Sequence, residues 1–196
     1  YRLEDAALTE LDFSAEVCVK AMDAEAYPLN TPDTVAYAVP SHSADIIRHL
    51  KKHVRGSDKV ICNVHCHNDL GLAVANSLAG VRGGATQVQG TINGIGERCG
   101  NADLVSVIAN LSLKRGYDVL QPGSLRRLTE VSRYVYETAN MNFRNGQPFV
   151  GTSAFAHKGG MHTHAVAKLT SSYEHIDPET VGNERRILVS ELSGQS

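Results

Sequence analysis

The sequence predicts an α/β fold of parallel βαβ units: the C-terminal part of a (β/α)8 barrel, followed by a mainly helical linker subdomain. Three observations carry this reading. Apolar, β-branched runs alternate with stretches of helical periodicity, and strands spaced by helices in this way form right-handed parallel crossovers. Each chemistry-bearing stretch (Pro32-Asp33-Thr34, His65 to Asp69, and Asn93 to Asn101) falls where a strand ends and a helix begins, the position of active sites in such folds. Three strands do not close a barrel, and a complete one takes about 250 residues. The 196 residues here are therefore expected to be a piece of a larger protein, lacking the N-terminal half-barrel.

The elements follow in order. Residues 4–25 read as a first helix, with Leu11, Ala15, Val19 and Met22 along one face, and no strand is expected before it. Residues 27–35 form a proline-broken strand ending in the polar loop Pro32-Asp33-Thr34. Ser41 or Ser43 can cap a second helix carrying Ile46, Ile47, Leu50 and Val54, which closes at Arg55-Gly56. The run Val60 to Cys66 is the second strand, and Leu70, Val74, Leu78 and Val81 mark the helix after it. A third strand over 85–92 leads through a glycine-rich loop into a helix over 102–113. After Gly116 the pattern changes: Leu125, Leu128, Val131 and Val135 mark one more helix, and polar turns and loops follow. The expected division is a partial catalytic barrel over 1–117 and a post-barrel subdomain over 118–196.

Composition excludes several classes of function. The formal net charge is −2 and no Lys/Arg stripe is present, which argues against nucleic acid. No apolar run approaches about 18 residues and no signal-peptide layout is visible, which argues against a membrane protein. The four cysteines, Cys18, Cys62, Cys66 and Cys99, form no CxxC pair and fit reduced thiols in a cytoplasmic protein.

The strongest local signal is Val64-His65-Cys66-His67-Asn68-Asp69. On a strand, positions i and i+2 share a face, so His65 and His67 emerge together, about 6–7 Å apart along the backbone. That spacing lets two imidazoles share one metal ion; the plainer alternative is a pair of hydrogen-bonded structural histidines. Cys66 points to the opposite face and is read as packing. Asn68-Asp69 turns the chain and can cap the next helix.

At HCHNDLGLAVANSLAGV and then QVQGTINGIGERCGNADL, the sequence resembles the 2-isopropylmalate synthase family, which includes citramalate and homocitrate synthases. The resemblance runs over essentially the whole chain. NTPDTVAYAVP is similar to the isopropylmalate branch, whereas from QVQGTINGIGERCGNADL through FVGTSAFAHKGGMH to VGNERRILVSELSG the match is closer to citramalate synthases. The resemblance implies a metal-dependent barrel enzyme that condenses acetyl-CoA with a 2-oxo acid, either 2-oxoisovalerate or pyruvate. The product would be 2-isopropylmalate or citramalate, made for leucine or isoleucine biosynthesis. The cofactor would be a divalent metal ion: Mn²⁺, Mg²⁺, Co²⁺ or Zn²⁺.

The same resemblance assigns residues. His65, His67 and Asn101 would be metal ligands, and Thr34 would bind the carboxylate of the oxo acid. His162 would be catalytic, reaching the active site of the partner subunit in a homodimer. Gly94, Gly96, Glu97, Arg98 and Gly100 would support the metal loop. The aspartate ligand and the glutamate base are placed on strands upstream of Tyr1, so the chain alone is expected to be inactive. Plainer roles exist for several of these. Asn101 can serve as a helix cap, Thr34 can bond its own backbone, Glu97 and Arg98 can pair with each other, and His162 can be an interface residue. His157 and His164 are expected to have no catalytic part, and His42, His49, His53 and His175 to be solvated.

Two competing functions fit parts of the pattern. One is a lyase or aldolase of the HMG-CoA lyase type, for which Cys99 lies in a comparable glycine-rich loop. The other is a non-catalytic metal-binding scaffold. The GERCGN context and the long post-barrel segment favour the synthase.

Overall fold

The computed structural model describes residues 1–3, 5–157, 169 and 173–187. The chain falls into two compact units, 1–107 and 108–196; the division lies inside a helix, ahead of the Gly116 break from which the post-barrel region was read.

The first unit is a three-stranded parallel sheet in the order β1-β2-β3, with β1 at Leu29–Asp33, β2 at Cys62–Cys66 and β3 at Gln87–Gln89. Helices α1 (Leu11–Asp23), α2 (Pro40–His53) and α3 (Ala73–Gly83) alternate with the strands, and α4 (Leu104–Arg115) follows β3. The register sets Leu29 beside Cys62, Pro32 beside His65, and His65 beside Gln89. All three strands run the same way, so the polar loops after them gather at one edge. The core between sheet and helices contains Leu29, Cys18, Ile46, Leu50 and Val54, each at most 5% exposed.

Several expectations are corrected. The first helix begins at Leu11 rather than residue 4: residues 1–3 run beside β1, and residues 5–9 turn, with Leu8 N–H donating to Asp5 O at 3.0 Å. Leu3 N–H donates to Asn30 O at 3.0 Å, Asn30 N–H donates to Tyr1 O at 2.8 Å, and Arg2 bridges Asn30 in parallel. A strand segment does precede the helix, since sheet hydrogen bonds outweigh the helical pattern there. Helix α2 starts on Pro40 without a side-chain cap, where proline's fixed φ suits the first helical position. Ser43 is buried instead, and its hydroxyl donates to Asn76 O at 2.9 Å. The third strand shortens to three residues, Gln87–Gln89.

Helix α3 buries a face other than the expected one. Ala73, Asn76, Ser77, Gly80 and Gly83 are buried, Val74, Leu78 and Val81 are half-buried, and Leu70, which precedes the helix, is 56% exposed. The reason is close approach. A Cβ on Gly80 would come within 2.7 Å of Val64 Cγ1, and one on Gly83 within 2.6 Å of Ala44 O. Only small residues let α3 lie that near to β2 and α2.

In the second unit, α5 (Leu128–Thr138) buries Leu128, Thr129, Ser132 and Tyr136, while Leu125 belongs to a preceding 3-10 turn, Ser124–Arg127. Two short strands, β4 (Ala156–His157) and β5 (Arg186–Ile187), pair in parallel. His157 is buried and lies 3.1 Å from Glu174, whose other oxygen accepts from Arg185 at 2.6 Å. Of the histidines expected to be solvated, His53 and His175 are exposed, whereas His42 and His49 are half-buried, His42 edge-on to Tyr37. His49 lies 3.0 Å from Asp12, His53 Nδ1 lies 2.9 Å from His49 O, and the His175 ring lies against Phe149 and Phe155. Among the described residues, no helix is long and apolar enough to cross a membrane.

Candidate metal centre

Strand β2 places the two histidines. Asn63, His65 and His67 share one face by strand alternation, while Val64 and Cys66 face the helices and are each 2% exposed. Cys66 is packing: burial pushes its thiol up to about 12, and Ser77 lies alongside it. The rings of His65 and His67 lie 5.1 Å apart between centroids, at 79° to each other. Burial pushes the His65 pKa down, with His67 and Arg2 adding to the effect. It is thereby held as the neutral imidazole that ligates metals.

The glycine-rich loop carries Asn101 to the same place. Residues His67 and Asn101 form an antiparallel bridge, and Asn68 N–H donates to Gly100 O at 2.9 Å. Asn101 Nδ2 donates to Ile95 O at 3.3 Å. At two glycines an added Cβ would collide, with a side-chain end at Gly96 and with backbone at Gly100. A Cβ on Gly96 would lie 2.1 Å from Asn101 Nδ2, and one on Gly100, where φ is +90°, would lie 2.0 Å from Gly94 O. Gly94 N–H closes a turn onto Thr91 O, and Gly94 O accepts from Asn101 N–H at 3.0 Å.

The donor set fits a metal ion. His65 Nδ1, His67 Nδ1 and Asn101 Oδ1 are all buried, and none has a hydrogen-bond partner among the described residues. Buried polar atoms are normally satisfied, so three orphans on adjoining residues point to something that completes them. Two imidazoles and one amide oxygen suit a borderline or hard divalent cation. His65, His67 and Asn101 are uncharged donors, and no group of three or more His, Cys, Asp or Glu is gathered for a metal among the described residues.

The remaining predicted residues lie close by or outside the described chain. Thr34 follows β1; its hydroxyl accepts from Asp5 N–H at 3.4 Å and its carbonyl from Arg98 Nη2 at 2.8 Å. The buried Asp33 carboxylate closes that loop by accepting from Tyr37 N–H at 2.8 Å and Ala38 N–H at 3.2 Å, and burial raises its pKa. Arg98 pairs with Asp69 rather than with Glu97: Nε and Nη2 reach the two carboxylate oxygens at 2.8 and 3.0 Å. The guanidinium holds the Asp69 carboxyl below its ordinary value. Glu97 is exposed. His162 and His164 lie outside the described residues.

Sequence reading missed two features. One is Asp69 as the partner of Arg98. The other is a layer of amides below the histidines: Asn30 Nδ2 donates to Gln89 Oε1 at 3.0 Å, and Asn63 Nδ2 to Gln87 Oε1 at 3.1 Å. The alternation Asn63, His65, His67 and the Gln87-x-Gln89 pattern were the available signals.

Residues 1–135 match the HMGL-like family. The chain belongs to the HMGL-like family. Residues 149–196 match a second family, homocitrate synthase post-HMGL domain-like. The chain is 46% identical to an (R)-citramalate synthase of Geobacter sulfurreducens over 94% of this chain and 34% of that one. It is 44% identical to a 2-isopropylmalate synthase of Brevibacillus brevis over 100% of this chain and 38% of that one. It thus spans about a third of the length of these relatives.

Two solved structures share the fold at 18% identity. An HMG-CoA lyase from Acinetobacter baumannii superposes with a TM-score of 0.56 over 67% of this chain and 43% of that one. The carboxyl transferase domain of Rhizobium etli pyruvate carboxylase gives 0.58 over 72% and 24%. The sheet described above is part of the TIM barrel of this family. HMGL-like members are generally dependent on a divalent metal.

Proposed function

We propose that the chain is the metal- and oxo-acid-binding part of an acyltransferase that condenses acetyl-CoA with a 2-oxo acid. The oxo acid is 2-oxoisovalerate or pyruvate, the product is 2-isopropylmalate or citramalate, and the enzyme works as a cytoplasmic homodimer in amino-acid biosynthesis. The observation that carries this is the triad of buried, partnerless donors on His65, His67 and Asn101. It sits at the strand-end edge of a barrel whose curated relatives are named as such synthases.

His65, His67 and Asn101 would hold the ion. When bound, a divalent cation polarises a carbonyl as a Lewis acid and orients the oxo acid. These three donors are uncharged, and the resemblance places the anionic aspartate ligand upstream of Tyr1. Thr34 presents its hydroxyl to the carboxylate, and Asp33 and Arg98 fix the loop that carries it. Gly94, Gly96 and Gly100 give the metal loop the close turns that bring Asn101 to His67. His162 acts from the partner subunit, a role taken from sequence resemblance.

The test uses the full-length enzyme. His65→Ala and His67→Ala are each expected to lower the metal content after dialysis and to abolish oxo-acid-dependent release of CoA, with the melting temperature largely kept. Metal content and turnover at wild-type levels in both variants would sink the assignment. Assaying pyruvate against 2-oxoisovalerate distinguishes the two products.

A further inference from the structure

Arg98 lies where three loops meet. Asp69 stands two residues after His67, Thr34 follows β1, and Arg98 itself precedes Asn101 by three positions. One guanidinium joins all three: both Asp69 oxygens through Nε and Nη2, and the Thr34 carbonyl through Nη2. These partners are 29 and 64 residues away in sequence, so local structure does not account for the arrangement. Arg98 also adopts φ +54°, a left-handed conformation uncommon for a residue with a side chain. Such strain persists only where the surroundings over-determine it.

A planar, bidentate guanidinium fixes direction as well as distance. The side chains of Arg98 and Asp69 are 41% and 26% exposed, and exposed pairs add little to global stability. The contact therefore acts on loop geometry. The Thr34 loop is already closed on its own side by Asp33, and Ala36 takes φ +56° to make the turn. Arg98 supplies its link to the metal loop.

We propose that Arg98 and Asp69 are positioning residues that set the Thr34 hydroxyl against the His65–His67–Asn101 centre, so that one oxo acid meets both loops at once. This rests on the metal and oxo-acid reading given above. Neither residue touches the substrate. Removing the link leaves each loop intact but unregistered, so binding of the oxo acid suffers while binding of the metal and of acetyl-CoA does not.

The experiment uses the full-length enzyme with Arg98→Ala, Arg98→Lys, Asp69→Ala and the Arg98→Ala/Asp69→Ala double variant. Each single variant is expected to raise KM for the oxo acid about 10–100-fold, the usual effect of removing a supporting partner. KM for acetyl-CoA and directly titrated Mn²⁺ affinity should stay within about threefold. The double variant should lose no more than the worse single one, because the two residues act as a unit. Lysine should not restore KM, because a point charge cannot reproduce the fork. Arg98→Ala with unchanged oxo-acid KM and an unchanged melting temperature would overturn the proposal. So would additive losses, or equal losses for both substrates. If Arg98→Ala fails to fold, Asp69→Ala carries the same comparison. His67→Ala serves as the control: its loss of Mn²⁺ binding beside a wild-type Arg98→Ala refutes this inference alone, whereas retained Mn²⁺ binding refutes the metal reading beneath it.

Discussion

Gly96→Ala separates the metal loop's function from its stability. Gly96 is exposed and its φ is not left-handed, so alanine is compatible with the backbone. At such sites, Gly→Ala alone stabilises by about 0.4–1 kcal/mol through the unfolded chain. The new Cβ, however, would lie 2.1 Å from Asn101 Nδ2 and 2.9 Å from its Cγ, well inside the roughly 3.5 Å contact distance. The colliding atom is the end of a side chain, so Asn101 rotates and the loop survives. Its bond to Ile95 O is lost, at about 0.5–1.5 kcal/mol, and nearly cancels the gain. The melting temperature should barely move. Asn101 Oδ1, though, swings away from the histidines, and a displaced ligand should weaken metal binding by about 10–100-fold. The assay titrates Mn²⁺ into metal-free full-length enzyme by calorimetry, for Gly96→Ala, Asn101→Ala and the double variant. Because Gly96→Ala acts through Asn101, the double variant should bind no worse than Asn101→Ala. Wild-type affinity in Gly96→Ala, or additive losses in the double variant, would refute the reasoning.

Cys66→Ala should leave Mn²⁺ affinity within about twofold, because the thiol faces the helices; a loss comparable to His67→Ala would show the strand facing to be wrong. Mass-spectrometric mapping after brief iodoacetamide treatment at pH 8 should find Cys99 modified. Cys18, Cys62 and Cys66 should be protected, because burial pushes their thiols up, to about 11 for Cys18 and about 12 for Cys66; labelling of Cys66 in the native protein would contradict this. Glu174→Gln should destabilise the protein by about 1.5–3 kcal/mol, since the buried Glu174 carboxylate gives up its charged hydrogen bonds to the partly exposed Arg185 and its contact with the buried His157. Arg185 holds the Glu174 carboxyl below its ordinary value. The stability it contributes is therefore present above the unfolded carboxylate pKa and lost as pH falls through the folded one. The Glu174→Gln penalty, measured by urea unfolding, should shrink below about pH 4, and a pH-independent penalty would argue against an ionised Glu174.

The sequence by itself determined the alternation of strands and helices and the strand-end position of His65, His67 and Asn101. These follow from local rules: β-branched runs, the two-residue period of a strand and glycine-rich turns are written within a few residues of one another. The facing of Cys66 was legible for the same reason. Only the tertiary structure decided what depends on register. The strand segment before α1 exists because Asn30 offers it backbone partners, an exchange invisible in the helical pattern of residues 4–25. Helix α3 turns its small residues inward because Val64 and Ala44 stand too close for anything larger, which overrides its own leucine and valine stripe. Arg98 finds Asp69 and Thr34, not the adjacent Glu97, because parallel strands bring loops from distant parts of the chain to one edge. A guanidinium chooses the partner whose geometry fits its fork, and that geometry is created by the fold rather than by neighbours in sequence.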